Sequence, residues 1–299
     1  MRALALAALS TSLLACAPPS ARPAICPPAA AAPSADPSTG PPRRDPASID
    51  TRYCSVHYVA GHRADAEELA QFVTEATERS TAYFHEHPPE ALWKGVSCRV
   101  HQMEIPSSLA RDEASTIVDG GTRDEFSGDV FLLSTSAYRR SVPLRADADP
   151  HENRRRIVTH ELATIPLVRA TLLKGPGWRF HSAPQWFTQG YEEYLAAFTT
   201  TEELKRRMTR DALEKIAARR DAIRWEGTVF SDEPYSGGLL LLWFLHERFG
   251  EAAVKAILGS HLATFAAAFR ETLGVEPAAL RDDVDRWMDQ KLTGASPPK

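Results

Sequence analysis

The chain reads as an α+β protein, with a small N-terminal sheet packed on helices and a mostly helical C-terminal half. Three observations predict that class. Residues 54–59 and 96–100 alternate apolar and polar side chains, and residues 129–133 form a third strand-like run. From about residue 153 onward, apolar positions recur at helical spacing. The composition, 43% hydrophobic and 25% charged in 299 residues, supplies enough apolar surface for a sizeable core.

The N-terminal residues stand apart from that core. Arg2 precedes an apolar stretch over residues 3–15, which is too short to span a bilayer and reads as a signal peptide. The stretch ends Leu13-Leu14-Ala15-Cys16, which resembles a bacterial lipobox, where the cysteine is lipidated and becomes the new N-terminus. That resemblance implies a lipoprotein anchored in the bacterial cell envelope through Cys16. An ordinary signal peptide beside an unrelated cysteine is the plainer alternative. Ala17, not an aspartate, follows Cys16, which implies an outer-membrane anchor facing the periplasm. Residues 16–50 hold 10 of the 22 prolines and almost no large apolar side chains, so this segment is expected to be a disordered, extended tether. The folded domain is expected over residues 51–292, with a disordered tail at 293–299.

Within the domain, Cys54 shares a strand face with Val56 and Tyr58, and Cys98 shares one with Val96 and Val100. Two neighbouring strands with both cysteines in one layer permit a disulfide in an oxidising compartment, and a pair of buried free thiols fits the spacing equally well. Cys26 lies in the tether. Leu69, Phe72, Val73, Ala76, Tyr83 and Phe84 mark a helix. A turn at Gly120 and Gly121 precedes the strand at 129–133. Thr200-Thr-Glu-Glu203 reads as a capping box that opens a basic amphipathic helix extending to about Trp225. Further helices are expected over 238–248, stopped at Gly250, over 251–271 and over 277–292. The arginines and lysines of the basic helix read as a solvated face. Lys plus Arg total 35 against 39 Asp plus Glu, with a pI near 6.2, which gives no electrostatic footprint for nucleic acid. There is no Gly-x-Ser-x-Gly elbow, no phosphate-binding glycine loop and no Cys-x-x-Cys.

The chemistry-bearing stretch is Ile157-Val-Thr-His-Glu-Leu-Ala-Thr164. It resembles the zincin helix H-E-x-x-H, in which two histidines four residues apart hold zinc and the glutamate acts as general base toward zinc-bound water. Downstream, Pro184, Trp186, Gly190 and Tyr194 match in register the gluzincin pattern P-x-W-x-x-E-G-x-A-x-Y, found in the peptidase-MA-like group of the thermolysin-like clan. Tyr235-Ser-Gly-Gly, Trp243 to Gly250 and Phe265 to Gly274 resemble the later helices of that family. The resemblance covers residues 54–292 and implies a zincin-like fold.

The family's zinc site does not carry over whole. Of its three protein ligands only His160 is present, because Thr164 and Gln189 occupy the other two positions. A neutral hydroxyl and a neutral amide are poor partners for Zn²⁺, and one imidazole does not hold it. Glu161 and Tyr235, the base and oxyanion-stabilising positions, are then vestigial; a packed hydroxyl is the alternative for Tyr235. Pro166 is expected to kink the motif helix. A relocated ligand set would draw on Glu193 and Glu192, one turn after Gln189, or on His181, His151 and His246. The plainer expectation is that both glutamates are surface charges, His246 packed or capping, and His181 a loop residue. No cofactor is therefore expected, and zinc enters only through relocated ligands. The resulting expectation is a pseudopeptidase that binds a peptide or protein partner in the envelope, with an active zinc peptidase of non-standard ligand set as the alternative. On the first reading, His160→Ala leaves stability within about 1 kcal/mol, as at a site without metal.

Overall fold

The computed structural model describes residues 47–104, 114–119, 126–141, 149–219 and 233–294. The expected signal peptide, Cys16, Cys26 and most of the tether lie outside the described residues, as do Gly120, Gly121 and Trp225. The chain enters a five-stranded sheet through β1 (Ala47–Asp50) and β2 (Cys54–Tyr58). After α1 (Arg63–Tyr83) and the short α2 (Pro89–Trp93) come β3 (Val96–Met103), β4 (Ala114–Asp119) and β5 (Phe126–Leu133). The order across the sheet is β1-β2-β3-β5-β4. The three central strands β2, β3 and β5 run parallel, and β1 and β4 are antiparallel edges.

The alternation seen in the sequence fixes which face is covered. Cys54, Val56 and Tyr58 are buried on β2; Cys98, Val100 and Gln102 on β3; Val130 and Leu132 on β5. In register, Val56 lies beside Val100 and Val100 beside Val130, so one apolar row crosses the parallel strands. Cys54 is the direct partner of Cys98, with a Cα–Cα distance of 4.6 Å, and a disulfide joins them.

β5 leads through α3 (Thr135–Ser141) to the long α4 (Pro150–Leu173). Asp149 caps α4 by accepting a hydrogen bond from the His151 N–H at 2.8 Å, and Pro150 stands at its first position, where no donor is lost. Helix α4 packs on the sheet and on α1. Its Ile165 side chain lies so close to Gly128 on β5 that an added Cβ there would meet Ile165 Cδ1 at 2.9 Å. The buried Arg154 of α4 donates to the Leu133 carbonyl oxygen, which pins the helix to the end of β5. Pro166 lies inside α4 without ending it. The remaining helices are α5 (Gln185–Phe198), α6 (Glu202–Ala218), α7 (Pro234–Phe249), α8 (Glu251–Leu258), α9 (Phe265–Leu273) and α10 (Arg281–Thr293). The class is α+β.

Several boundaries differ from expectation for identifiable reasons. Residues 47–50, assigned to the tether, form β1, because pairing with β2 satisfies their backbone. The cap of α6 is Thr201, whose hydroxyl accepts from the Leu204 N–H at 3.2 Å, and the helix ends at Ala218, not near Trp225. The segment expected to be one helix over 251–271 is two, α8 and α9. Gly259 closes α8, and Thr264 caps α9 by accepting from the Ala267 N–H at 3.2 Å. α10 runs to Thr293, one residue past the expected end of the domain, and among the described residues no helix is long and apolar enough to cross a membrane.

Candidate functional site

Helix α4 presents Arg156, His160 and Thr164 at four-residue intervals, one stripe of the helix. Helix α5 faces it with Gln189, Glu192 and Glu193. The position of α5 is set by its apolar side: Trp186, Phe187, Tyr191 and Tyr194 are all buried. It is set equally by Gly190, which meets Gly238 of α7 backbone to backbone. A Cβ on Gly190 would lie 2.5 Å from the Gly238 carbonyl carbon. The glycine of the resembled pattern thus has a physical reason here, since no side chain fits the α5–α7 crossing.

Glu192 and Glu193 are buried, each 4% exposed, which overturns the expectation of surface charges. Their carboxylates approach opposite nitrogens of the same imidazole. Glu192 Oε2 lies 3.5 Å from His160 Nε2, and Glu193 Oε1 lies 3.5 Å from His160 Nδ1. The Thr164 hydroxyl donates to Glu192 Oε1 at 2.5 Å. Arg156 pairs with both oxygens of Glu193 through its Nε and Nη2. The result is a continuous polar chain, Thr164–Glu192–His160–Glu193–Arg156, between two helices.

The two glutamates titrate in opposite directions. Burial lifts Glu192 from its ordinary 4.5 to about 7; Glu161 and Glu193 add repulsion, while His160 and the Thr164 bond offset part of the rise. Burial acts to raise Glu193 as well, but Arg156, then His160, outweighs it and holds that carboxyl below the usual range. Adjacent carboxyls driven apart in this way form an acid and a base of unequal strength.

The donors do not fit the zinc that the gluzincin resemblance implies. Glu192 and Glu193 face different nitrogens, so the two carboxylates and the imidazole do not converge on one point. Only His160 Nε2 and Glu192 Oε2 share a side, and the Thr164 hydroxyl spends its proton on Glu192. Gln189 is half-buried and brings only a neutral amide. Structural and catalytic zinc sites need at least three good donors. Among the described residues, the group whose ligand atoms all lie within 4.8 Å of one another is elsewhere: His62, Asp65 and Glu104.

Tyr235, at the start of α7, is 48% exposed, with its ring centroid 5.7 Å from that of His160. Together with Arg156 and Glu193 it lines a cavity of about 230 Å³ between α4, α5, α6 and α7. Glu161 is half-buried beside the chain. The other histidines do not join it. His246 bonds the Tyr194 hydroxyl through Nδ1, His181 is exposed in a short turn at Phe180–Ser182, and the exposed His151 faces Glu68 at 3.4 Å. Sequence reasoning missed Arg156, although its place one turn before His160 was a usable signal. It named Glu192 as a possible relocated ligand but expected a surface charge, although Glu192 stands where the pattern P-x-W-x-x-E-G-x-A-x-Y carries alanine. The carboxylate absent from position 189 reappears one turn later.

No family model and no curated protein sequence matches the chain, so the likeness to gluzincins rests on the residues quoted above.

Proposed function

We propose that the chain is a lipid-anchored envelope protein whose gluzincin-like domain is a non-catalytic pseudopeptidase that engages a peptide or protein partner. The observation that carries this reading is the chain Thr164–Glu192–His160–Glu193–Arg156. Each carboxylate there is met by protein donors, which leaves no shared point for a metal. Without a metal, nothing at His160 lowers the pKa of a water toward 7, and Glu161 has no such nucleophile to activate. The edge strand β4 supports an extended peptide as partner. Among the described residues nothing pairs with its outer edge, and α4 lies against it. A strand edge without a paired neighbour is of the kind that accepts an added strand.

The alternative, an active zinc peptidase built on His160 and Glu192, makes a different claim about metal. Purified protein is exposed to Zn²⁺, dialysed and assayed for bound zinc and for cleavage of unfolded casein, alongside His160→Ala. The expected result is no cleavage, and zinc content unaltered by the substitution. Zinc and proteolysis lost together in His160→Ala would overturn the pseudopeptidase reading. The anchor is tested separately: Cys16→Ser should move the protein from the membrane to the soluble fraction.

A further inference from the structure

A second polar cluster lies past the carboxyl ends of the three parallel strands. His62 follows β2, Glu104 follows β3 directly, and Ser134, Thr135 and Ser136 follow β5. Asp65 sits in the first turn of α1. The Ser134 N–H donates to the Met103 carbonyl at 2.7 Å, which holds the ends of β3 and β5 together.

One donor atom from each of His62, Asp65 and Glu104 lies within 4.8 Å of the others. His62 Nδ1 is 3.3 Å from Glu104 Oε1. Metal–ligand bonds of about 2.0–2.2 Å put neighbouring donors roughly 3–3.5 Å apart, so this separation matches an edge of a coordination shell. The Ser136 hydroxyl donates to Asp65, and Ser134 Oγ donates to Glu104 Oε2 at 2.9 Å, which orients both carboxylates from behind. Arg140 stands 4.0 Å from Glu104 Oε2, the oxygen other than the one nearest His62 Nδ1.

The independent observation is Gln102. It is 7% exposed and continues the buried face of β3 after Cys98 and Val100, where an apolar side chain belongs. Its Nε2 donates to Glu104 Oε1 at 2.9 Å and reaches the His62 carbonyl at 3.5 Å, so the amide is lodged within the cluster. Its Oε1 is buried with no hydrogen-bond partner, and so is the Oγ1 of Thr135. A buried oxygen without a partner is costly, and a donor or a cation reaching it would offset that cost.

We propose that His62, Asp65 and Glu104 bind a first-row divalent cation, Zn²⁺ or Mn²⁺, with the buried Gln102 amide beside them. Two carboxylates balance the ion's charge, and the imidazole favours a borderline metal over Ca²⁺ or Mg²⁺. Bound there, the ion ties the ends of β2 and β3 to α1.

The test uses the full chain in detergent and titrates Zn²⁺, Mn²⁺ and Ca²⁺ by calorimetry and thermal melting. Wild type and His160→Ala are expected to bind one equivalent of Zn²⁺ or Mn²⁺ and to melt at higher temperature with it. His62→Ala, at a partly exposed site, and the Asp65→Asn/Glu104→Gln pair should weaken binding about 100-fold or more, since charged donors are lost. Gln102→Leu should weaken it about tenfold. Absence of binding, a preference for Ca²⁺, or an affinity unaffected by His62→Ala overturns the proposal. Binding lost instead in His160→Ala overturns it too, and separately returns zinc to α4.

Discussion

Glu192 is a carboxyl group whose surroundings favour the protonated form near neutrality. In the unfolded chain it titrates near its ordinary 4.5, and in the folded protein near 7, so between those values the native state holds a proton the unfolded state has released. Stability from this group is therefore full below about pH 4.5 and declines as pH rises through 7, by on the order of 2 kcal/mol between pH 5 and 8. Glu193, held low, acts in the opposite sense: its contribution is present above the usual carboxylate range and is lost as pH falls below it. Urea denaturation at intervals from pH 5 to 8 should show the decline in wild type and a flatter profile in Glu192→Gln, which still accepts the Thr164 bond. The same slope in both proteins would assign the titration elsewhere. His160→Ala removes the group between two buried carboxylates. The expectation of a loss within about 1 kcal/mol thus rises to on the order of 2 kcal/mol, because buried carboxylates lose a partner. That cost should be equal with added zinc and with chelator.

At the scale of elements, the α5–α7 crossing decides where the site residues stand. Gly238 is as tightly placed as Gly190, since a Cβ on it would collide with the Trp186 carbonyl oxygen. Gly190→Ala and Gly238→Ala must each push the helices apart, at a cost of about 3 kcal/mol. Denaturation midpoints check this, and near-neutral values for both would show that the crossing has room for a methyl group. The elements were largely legible because strand alternation and helical spacing are local consequences of burying one face. β1 was not, because proline-rich neighbours mask four residues whose pairing depends on β2. The α8–α9 break was also missed: Gly259 and Thr264 are separate stop and start signals inside one continuous apolar pattern.

For the whole molecule, the Cys54–Cys98 disulfide closes a loop of 44 residues that contains α1 and α2. On chain entropy alone such a loop contributes about 4 kcal/mol. Reduction, or Cys54→Ala/Cys98→Ala, should lower the urea midpoint accordingly, with 2 kcal/mol as about the lower bound for a native bridge. An unchanged midpoint would mean that the sheet register alone holds β2 to β3.

The sequence by itself determined the class of fold, the faces of its strands and helices, the helix that carries His160, and the uncharged side chains at positions 164 and 189. These follow from periodicity and side-chain chemistry, which act over a few residues. Only the tertiary structure decided that Glu192 and Glu193 are buried and clasp His160 from opposite sides. It alone decided that the two cysteines are bonded, and that His62, Asp65 and Glu104 meet at the ends of β2 and β3. Each of those outcomes depends on residues far apart in the chain, whose approach is set by helix packing and sheet register and leaves no mark on local pattern.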